Sequence, residues 1–170
     1  MPASLLRRFG ALVYEGLLLT ALMFVAGFAL VPLVSPEPAA MAPDARTLQL
    51  PSVPAQAFTF LALFSVAALY FVGSWTGGRR TLPMKTWRLR LVGPDGAPPN
   101  RRRALVRYFA AWIGPAAALA AYLALRPSGL SAHGVWLVAF GWLWAFVDRD
   151  RSFLHDRIAG TRLLRDATGN

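Results

Sequence analysis

Residues Phe9–Val34 read FGALVYEGLLLTALMFVAGFALVPLV, with a single charged residue, Glu15, in the whole run. A hydrocarbon core of about 30 Å takes about 20 helical residues to cross. The run is longer than that and carries one acid, so it predicts a membrane-spanning helix. A cleaved leader is the alternative, with Arg7-Arg8 as its basic start and Ala39-Ala40 as its cleavage mark. The apolar stretch is too long for the 7–15 residues of a leader core, and it has an acid inside it.

Working outward from this run, three more stretches have the same character. They cover about 55–75, 104–125 and 128–147. The third carries Arg107 in its first turn and Gly114-Pro115 inside. The fourth has only a short strongly apolar core, Val135–Val147, behind a small, mildly polar lead. Between the spans lie a proline-rich linker (35–54), a basic segment (76–103) with the turn signal Gly93-Pro94-Asp95-Gly96, and the short connection Arg126-Pro127. A polar tail occupies 148–170. The fold class expected is all-α: a four-helix transmembrane bundle forming a single membrane domain.

Composition agrees. The 170 residues are 56% hydrophobic, with a net charge of +10 and a mean hydropathy of +0.44. A soluble protein so basic would point to nucleic acid. Here the charge sorts by side of the membrane. The N-terminus, the central segment with the start of the third helix, and the tail together hold 16 Lys and Arg; the other two connections hold two. The positive-inside rule puts the basic side, and both termini, in the cytoplasm, which requires an even number of spans. Arg101-Arg102-Arg103 would meet anionic headgroups on that side. No reading helix or aromatic platform accompanies it, so nucleic acid is not an expected partner. The six tryptophans, Trp75, Trp87, Trp112, Trp136, Trp142 and Trp144, fall mainly near span ends and read as interfacial anchors.

Cysteine is absent, which excludes disulfides, thiolate metal sites and cysteine nucleophiles. His133 and His155 stand alone, without metal-ligand spacing to other donors. Gly93–Gly96 lacks the spacing and the following Lys-Ser/Thr of a phosphate loop. No metal, cofactor or enzyme activity is expected.

Glu15 is the most informative side chain. It lies about 10 Å past Arg8 at 1.5 Å per residue, where an ionisable group costs roughly 2.5–3.5 kcal/mol and usually faces inward toward a partner. Arg8 shares its face and is expected to snorkel to lipid phosphate. Arg107 is the expected partner of Glu15. One reading makes Glu15 a proton- or cation-binding carboxylate in a translocation path; the other makes it half of a structural ion pair. His155-Asp156 reads either as acid–base machinery or, with no nucleophile or metal set beside it, as a helix-capping or arginine-pairing acid. Asp148-Arg149-Asp150-Arg151 reads as a self-paired, solvated stop.

Two segments of the basic side look alike. Thr81-Leu82-Pro83-Met84-Lys85 leads to Arg88-Leu89-Arg90-Leu91-Val92, and Leu154-His155-Asp156-Arg157 leads to Thr161-Arg162-Leu163-Leu164. Leu82 aligns with Leu154, Lys85 with Arg157 and Arg90 with Arg162. Each predicts a short interfacial helix followed by a strand, and the strands 89–92 and 162–164 are expected to pair.

Together these elements resemble the RDD family of bacterial membrane proteins, named for one arginine and two aspartates. Arg8, Ala11 and Glu15 match its first element. Thr81–Lys85 with Leu89–Val92 match the second, and Arg103 and Arg107 match the arginines opening the next helix. Leu154-His155-Asp156 and Ala159-Gly160-Thr161 match the last. The likeness runs from about Leu6 to Leu164. Two departures stand out: Glu15 replaces an aspartate and Pro83 a glycine. The resemblance implies a multi-pass protein of the bacterial inner membrane. It also implies a polar site at Arg8, Glu15, Arg107 and Asp156, with Thr81, Lys85, Arg90, His155 and Gly160 as motif positions. Transport of small ligands or sodium–proton exchange is the activity it suggests, and enclosing a pathway would call for a homo-oligomer. The competing expectation is a non-transporting scaffold or partner-binding module in which the same residues are structural.

Overall fold

A computed structural model describes residues 3–35 and 51–166. Most of the proline-rich linker, Ala39-Ala40 and the end of the tail lie outside these residues. Among the described residues the α-helices and strands follow in order: α1 (Leu5–Val34), α2 (Val53–Trp75), α3 (Leu82–Thr86), β1 (Leu89–Val92), α4 (Arg101–Ala111), α5 (Ile113–Leu125), α6 (Phe140–Leu143), α7 (Leu154–Ala159) and β2 (Arg162–Arg165). Two compact units result, one made of the chain up to Glu15 together with everything from Phe71 onward, the other of Gly16–Tyr70.

Among the described residues three helical stretches are long and apolar enough to cross a membrane: Leu5–Val34, Val53–Trp75 and Arg101–Ser128. Within Gly16–Tyr70 the large apolar side chains point outward, Phe24, Phe28 and Leu69 among them. That pattern suits lipid and would be costly in water. The hydroxyls of Thr20, Thr59 and Ser65 donate to the carbonyls of Gly16, Ala55 and Leu61 one turn back, so these three need no water.

The third stretch starts three residues before the expected boundary. The Asn100 side chain caps α4 by accepting from Arg103 N at 2.9 Å, which draws Arg101–Arg103 into the first turn. The helix breaks at Trp112, between α4 and α5. Pro115 explains the break, because it cannot donate to the carbonyl of Ala111 and its ring crowds that carbonyl.

The fourth expected helix differs most. Ser131–Ala139 winds as a 3-10 helix, followed by α6 and one more 3-10 turn, Trp144–Phe146. Two features explain this. The lead holds Ser131, His133 and Gly134, which are poor or indifferent α-formers. The segment also lies backbone to backbone on α5. A Cβ on Gly134 would sit 2.8 Å from Tyr122 N, and one on Gly114 would sit 2.5 Å from Val138 O. Small residues allow this approach, as in membrane helix pairs generally.

The paired short units are present as expected. β1 and β2 are antiparallel, with Leu89 opposite Arg165, Arg90 opposite Leu164, Leu91 opposite Leu163 and Val92 opposite Arg162. Each strand is preceded by a short helix, α3 or α7. Leu89, Leu91 and Val92 of β1 and Leu163 of β2 are buried, and Phe153 packs edge-on to Phe9 of α1 at 5.5 Å between ring centres. Gly93–Gly96 is the expected turn, closed by Gly96 N donating to Gly93 O.

Candidate functional site

The polar centre of the molecule forms where the start of α1, α4, α7 and β2 meet. Asp156 is fully buried in the first turn of α7. Arg107, on the inward face of α4, donates from Nε to Asp156 Oδ1 at 2.8 Å. Its Nη2 lies 3.3 Å from His155 Nε2, and its guanidinium stacks over the Trp75 ring, 4.1 Å from the centroid. One face of the arginine is thus covered by an aromatic ring and its edge is neutralised by a carboxylate, which makes its burial tolerable. Because a guanidinium can only donate, the bond to His155 uses Nε2 as acceptor, leaving Nδ1 to carry the imidazole proton.

Thr161 completes the carboxylate's surroundings, its hydroxyl donating to Asp156 Oδ1 at 3.3 Å. The helix end places it there. Gly160 adopts φ +63°, a conformation that costs glycine little, and Gly160 N and Thr161 N fold back onto the carbonyls of Arg157 and Asp156. Gly160 therefore serves the site through the backbone. Asp156 Oδ2 is buried and has no hydrogen-bond partner among the described residues.

Burial pushes the His155 imidazole down to about 4; the Asp156 charge opposes this and the Arg107 charge reinforces it. His155 is therefore neutral at pH 7. For Asp156, burial alone would raise the pKa. The charge of Arg107 and its hydrogen bond, with the charge of Arg8, outweigh it and hold the carboxyl below its ordinary value.

Arg8 is buried rather than snorkelled to lipid phosphate. All three of its nitrogens donate to main-chain carbonyls: Nε to Ala3 (3.1 Å), Nη1 to Arg151 (2.7 Å) and Nη2 to Leu163 (3.3 Å). The guanidinium fork staples the N-terminal segment to β2 and to the loop before α7. Arg151 holds a left-handed φ of +51°, unusual for a residue with a side chain, and its carbonyl takes the shortest of the three bonds.

The expected Glu15–Arg107 pair is not formed, since Asp156 takes Arg107. Glu15, half-buried, instead accepts from the Thr81 hydroxyl at 2.7 Å. Thr81 also caps α3 by accepting from Met84 N. The proline at position 83 fits this arrangement, because the first turn of a helix needs no N–H there. Asp156 does not cap α7 either. Its cap position is Phe153, without a side-chain hydrogen bond, and the carboxylate turns inward to Arg107.

Among the remaining motif positions, Lys85 and Arg90 are exposed and stand outside the cluster. The stop after the fourth segment is not self-paired. Asp148 caps its own turn through Ser152 N, and Asp150 pairs with Arg157 and Arg162. Trp75, Trp87 and Thr161 escaped the sequence reading as site residues. Trp87 packs on Gly10, where a Cβ would meet its ring at 2.5 Å. A tryptophan at the end of an apolar helix signals an interface, and nothing local in the sequence says that it will cover an arginine. Among the described residues no group of acidic, histidine or cysteine side chains is placed to hold a metal ion.

Long apolar helices joined to a buried arginine–aspartate cluster define a helical, membrane-type protein. The model of the RDD family matches residues 2–160, and the chain belongs to that family. No curated protein and no solved structure matches it.

Proposed function

We propose that this protein is a non-transporting membrane scaffold, a lipid-embedded bundle that presents a rigid basic face to partners. The Arg107–Asp156 pair carries this reading, because the strongest charges in the centre are consumed in fastening α4 to α7. Arg8 is likewise spent on three backbone carbonyls. A translocation path would need such groups to exchange partners, and breaking a buried pair costs about 3–5 kcal/mol.

The scaffold crosses the bilayer four times with both ends on the cytoplasmic, basic side. Ala3 N donates to Leu163 O at 3.3 Å, which supports an even number of crossings. Three long helices then need a fourth, and Ser131–Phe146 supplies it. As an α-helix its 16 residues would rise about 24 Å. At the roughly 2.0 Å per residue of 3-10 winding over most of its length, the segment reaches about 30 Å.

A second reading, proton or cation exchange, draws support from two carboxylates: Glu15 near the start of an apolar helix, and the unpartnered Oδ2 of Asp156. Flux measurements in proteoliposomes separate the two. The scaffold reading expects wild-type protein to dissipate an imposed sodium or proton gradient no faster than empty vesicles, and Glu15→Gln to change nothing. A flux that Glu15→Gln abolishes, in protein that still inserts and melts normally, overturns it.

A further inference from the structure

Beyond the scaffold reading, the outer face of α4 and α5 forms a groove of about 620 Å³. Arg102, Leu105, Val106, Phe109, Ala110 and Ile113 line it, spaced at i, i+3, i+4, i+7, i+8 and i+11 and therefore on one side of the helix. Ile158, exposed on α7, also lines the groove. The opposite side of α4 carries Ala104, Arg107 and Tyr108 into the core, so the groove is the face that the fold leaves outward. Phe109 is 57% exposed.

We infer that this groove is a binding site for one anionic phospholipid, with its phosphate at Arg102 and an acyl chain along Val106, Phe109 and Ile113. Two observations select this occupant. Arg102 is exposed, sits at one end, and makes no ion pair among the described residues, so the groove pairs one cation with an otherwise apolar wall. From Arg102 to Ile113 the helix rises about 16 Å, close to one leaflet of a 30 Å hydrocarbon core. A second copy fits poorly, because each copy carries a charge of +10 and would bring the same arginine to the contact. The site rests on the membrane-embedded reading and is independent of whether the protein transports.

Native mass spectrometry of the full chain, released from neutral detergent after incubation with equal phosphatidylglycerol and phosphatidylcholine, reads the site directly. Wild-type protein is expected to retain one phosphatidylglycerol in preference to phosphatidylcholine. Arg102→Gln should reduce that preference about fivefold, the share of one cation near a membrane surface. Arg101→Gln removes the same charge outside the groove and should leave the preference unchanged. Val106→Trp fills the groove and should lower retention of both lipids, with the melting temperature confirming that the variant folds. Equal effects of Arg101→Gln and Arg102→Gln would mean a diffuse basic surface and overturn the site. Displacement by soluble glycerol phosphate as effective as by intact lipid would reduce it to a phosphate site and also overturn it. So would efficient cross-linking of Val106→Cys to a second copy; the chain has no cysteine of its own to confuse that result. None of these readings depends on flux, so the lipid site and the scaffold reading fail separately.

Discussion

Asp156 and His155 are adjacent in sequence, yet they respond to acid in different ranges. His155 is neutral in the fold, with a pKa of about 4 against an ordinary 6.5. Between those values the unfolded chain binds a proton that the folded chain refuses, so stability must fall as pH drops from about 6.5 toward 4. At about 1.4 kcal/mol per pH unit the loss reaches about 3 kcal/mol. Denaturation in detergent from pH 7.5 to 4.5 should show this slope, and His155→Gln, which keeps an acceptor for Arg107, should flatten it. Asp156 works in the same sense but in a lower range: its carboxyl is held below the ordinary value, so its contribution is present above the ordinary carboxylate range and is lost only in stronger acid. Asp156→Asn leaves the Arg107 guanidinium buried without its counter-charge and should cost about 3–5 kcal/mol, read as a lowered melting temperature at pH 7. A variant as stable as wild type would show that the pair contributes nothing. Of this cluster the sequence made its members legible but not their pairing. Arg107 is 49 positions from Asp156 and 92 from Glu15, and neither helical periodicity nor depth chooses between two acids so far away in the chain. The roles of Thr161 and Trp75 in the cluster were not legible for the same reason, since they come from tertiary contact alone.

At the scale of elements, patterns that repeat within a few residues were readable and those set by neighbours were not. The two helix–strand units followed from alternation in Leu89–Val92 and the likeness of the segments around Leu82 and Leu154, and the register of the sheet bears this out. Long apolar runs marked α1, α2 and α4–α5 to within a few residues. The winding of Ser131–Phe146 did not follow from hydropathy, which counts apolar residues without regard to rise per residue. It depends on α5, against which Gly134 brings backbone to backbone. Gly134→Leu forces a side chain into Tyr122 N and Ala121, and overpacking of this kind costs about 1–3 kcal/mol. The substitution should lower the melting temperature and expose the segment to protease. Gly141→Ala, where a Cβ meets nothing within 4 Å, is the matched control and should leave both unchanged. If Gly134→Leu behaved like the control, the close packing of this segment on α5 would be disproved.

For the molecule as a whole, the question is how many times the chain crosses the bilayer, and the two ends of the described chain bear on it together. Hydropathy alone favours three long helices, and an odd count would send the N-terminal segment and β2 to opposite sides. The hydrogen bond from Ala3 N to Leu163 O and the Arg8 staple to Leu163 and Arg151 hold those segments together, which supports the proposed even number of crossings. Charge gives the same answer by a separate route, since Lys and Arg concentrate in the segments that four crossings would put together. A chain without cysteine allows a direct check. Ser4→Cys and Arg165→Cys lie near the two ends, and Ser128→Cys lies in the connection before the 3-10 segment. Labelled in intact cells with a membrane-impermeant maleimide, Ser128→Cys should react, whereas the other two should react only after the membrane is opened. Labelling of Ser4→Cys and Ser128→Cys together on one side, with Arg165→Cys on the other, would mean that an even number of the three long helices cross and would break the hydrogen-bonded union of the ends. Labelling of Arg165→Cys with Ser128→Cys would leave that segment on the membrane surface. On the proposed four-crossing arrangement Arg8, Arg107 and Asp156 stay in one cluster while each long apolar helix among the described residues meets lipid.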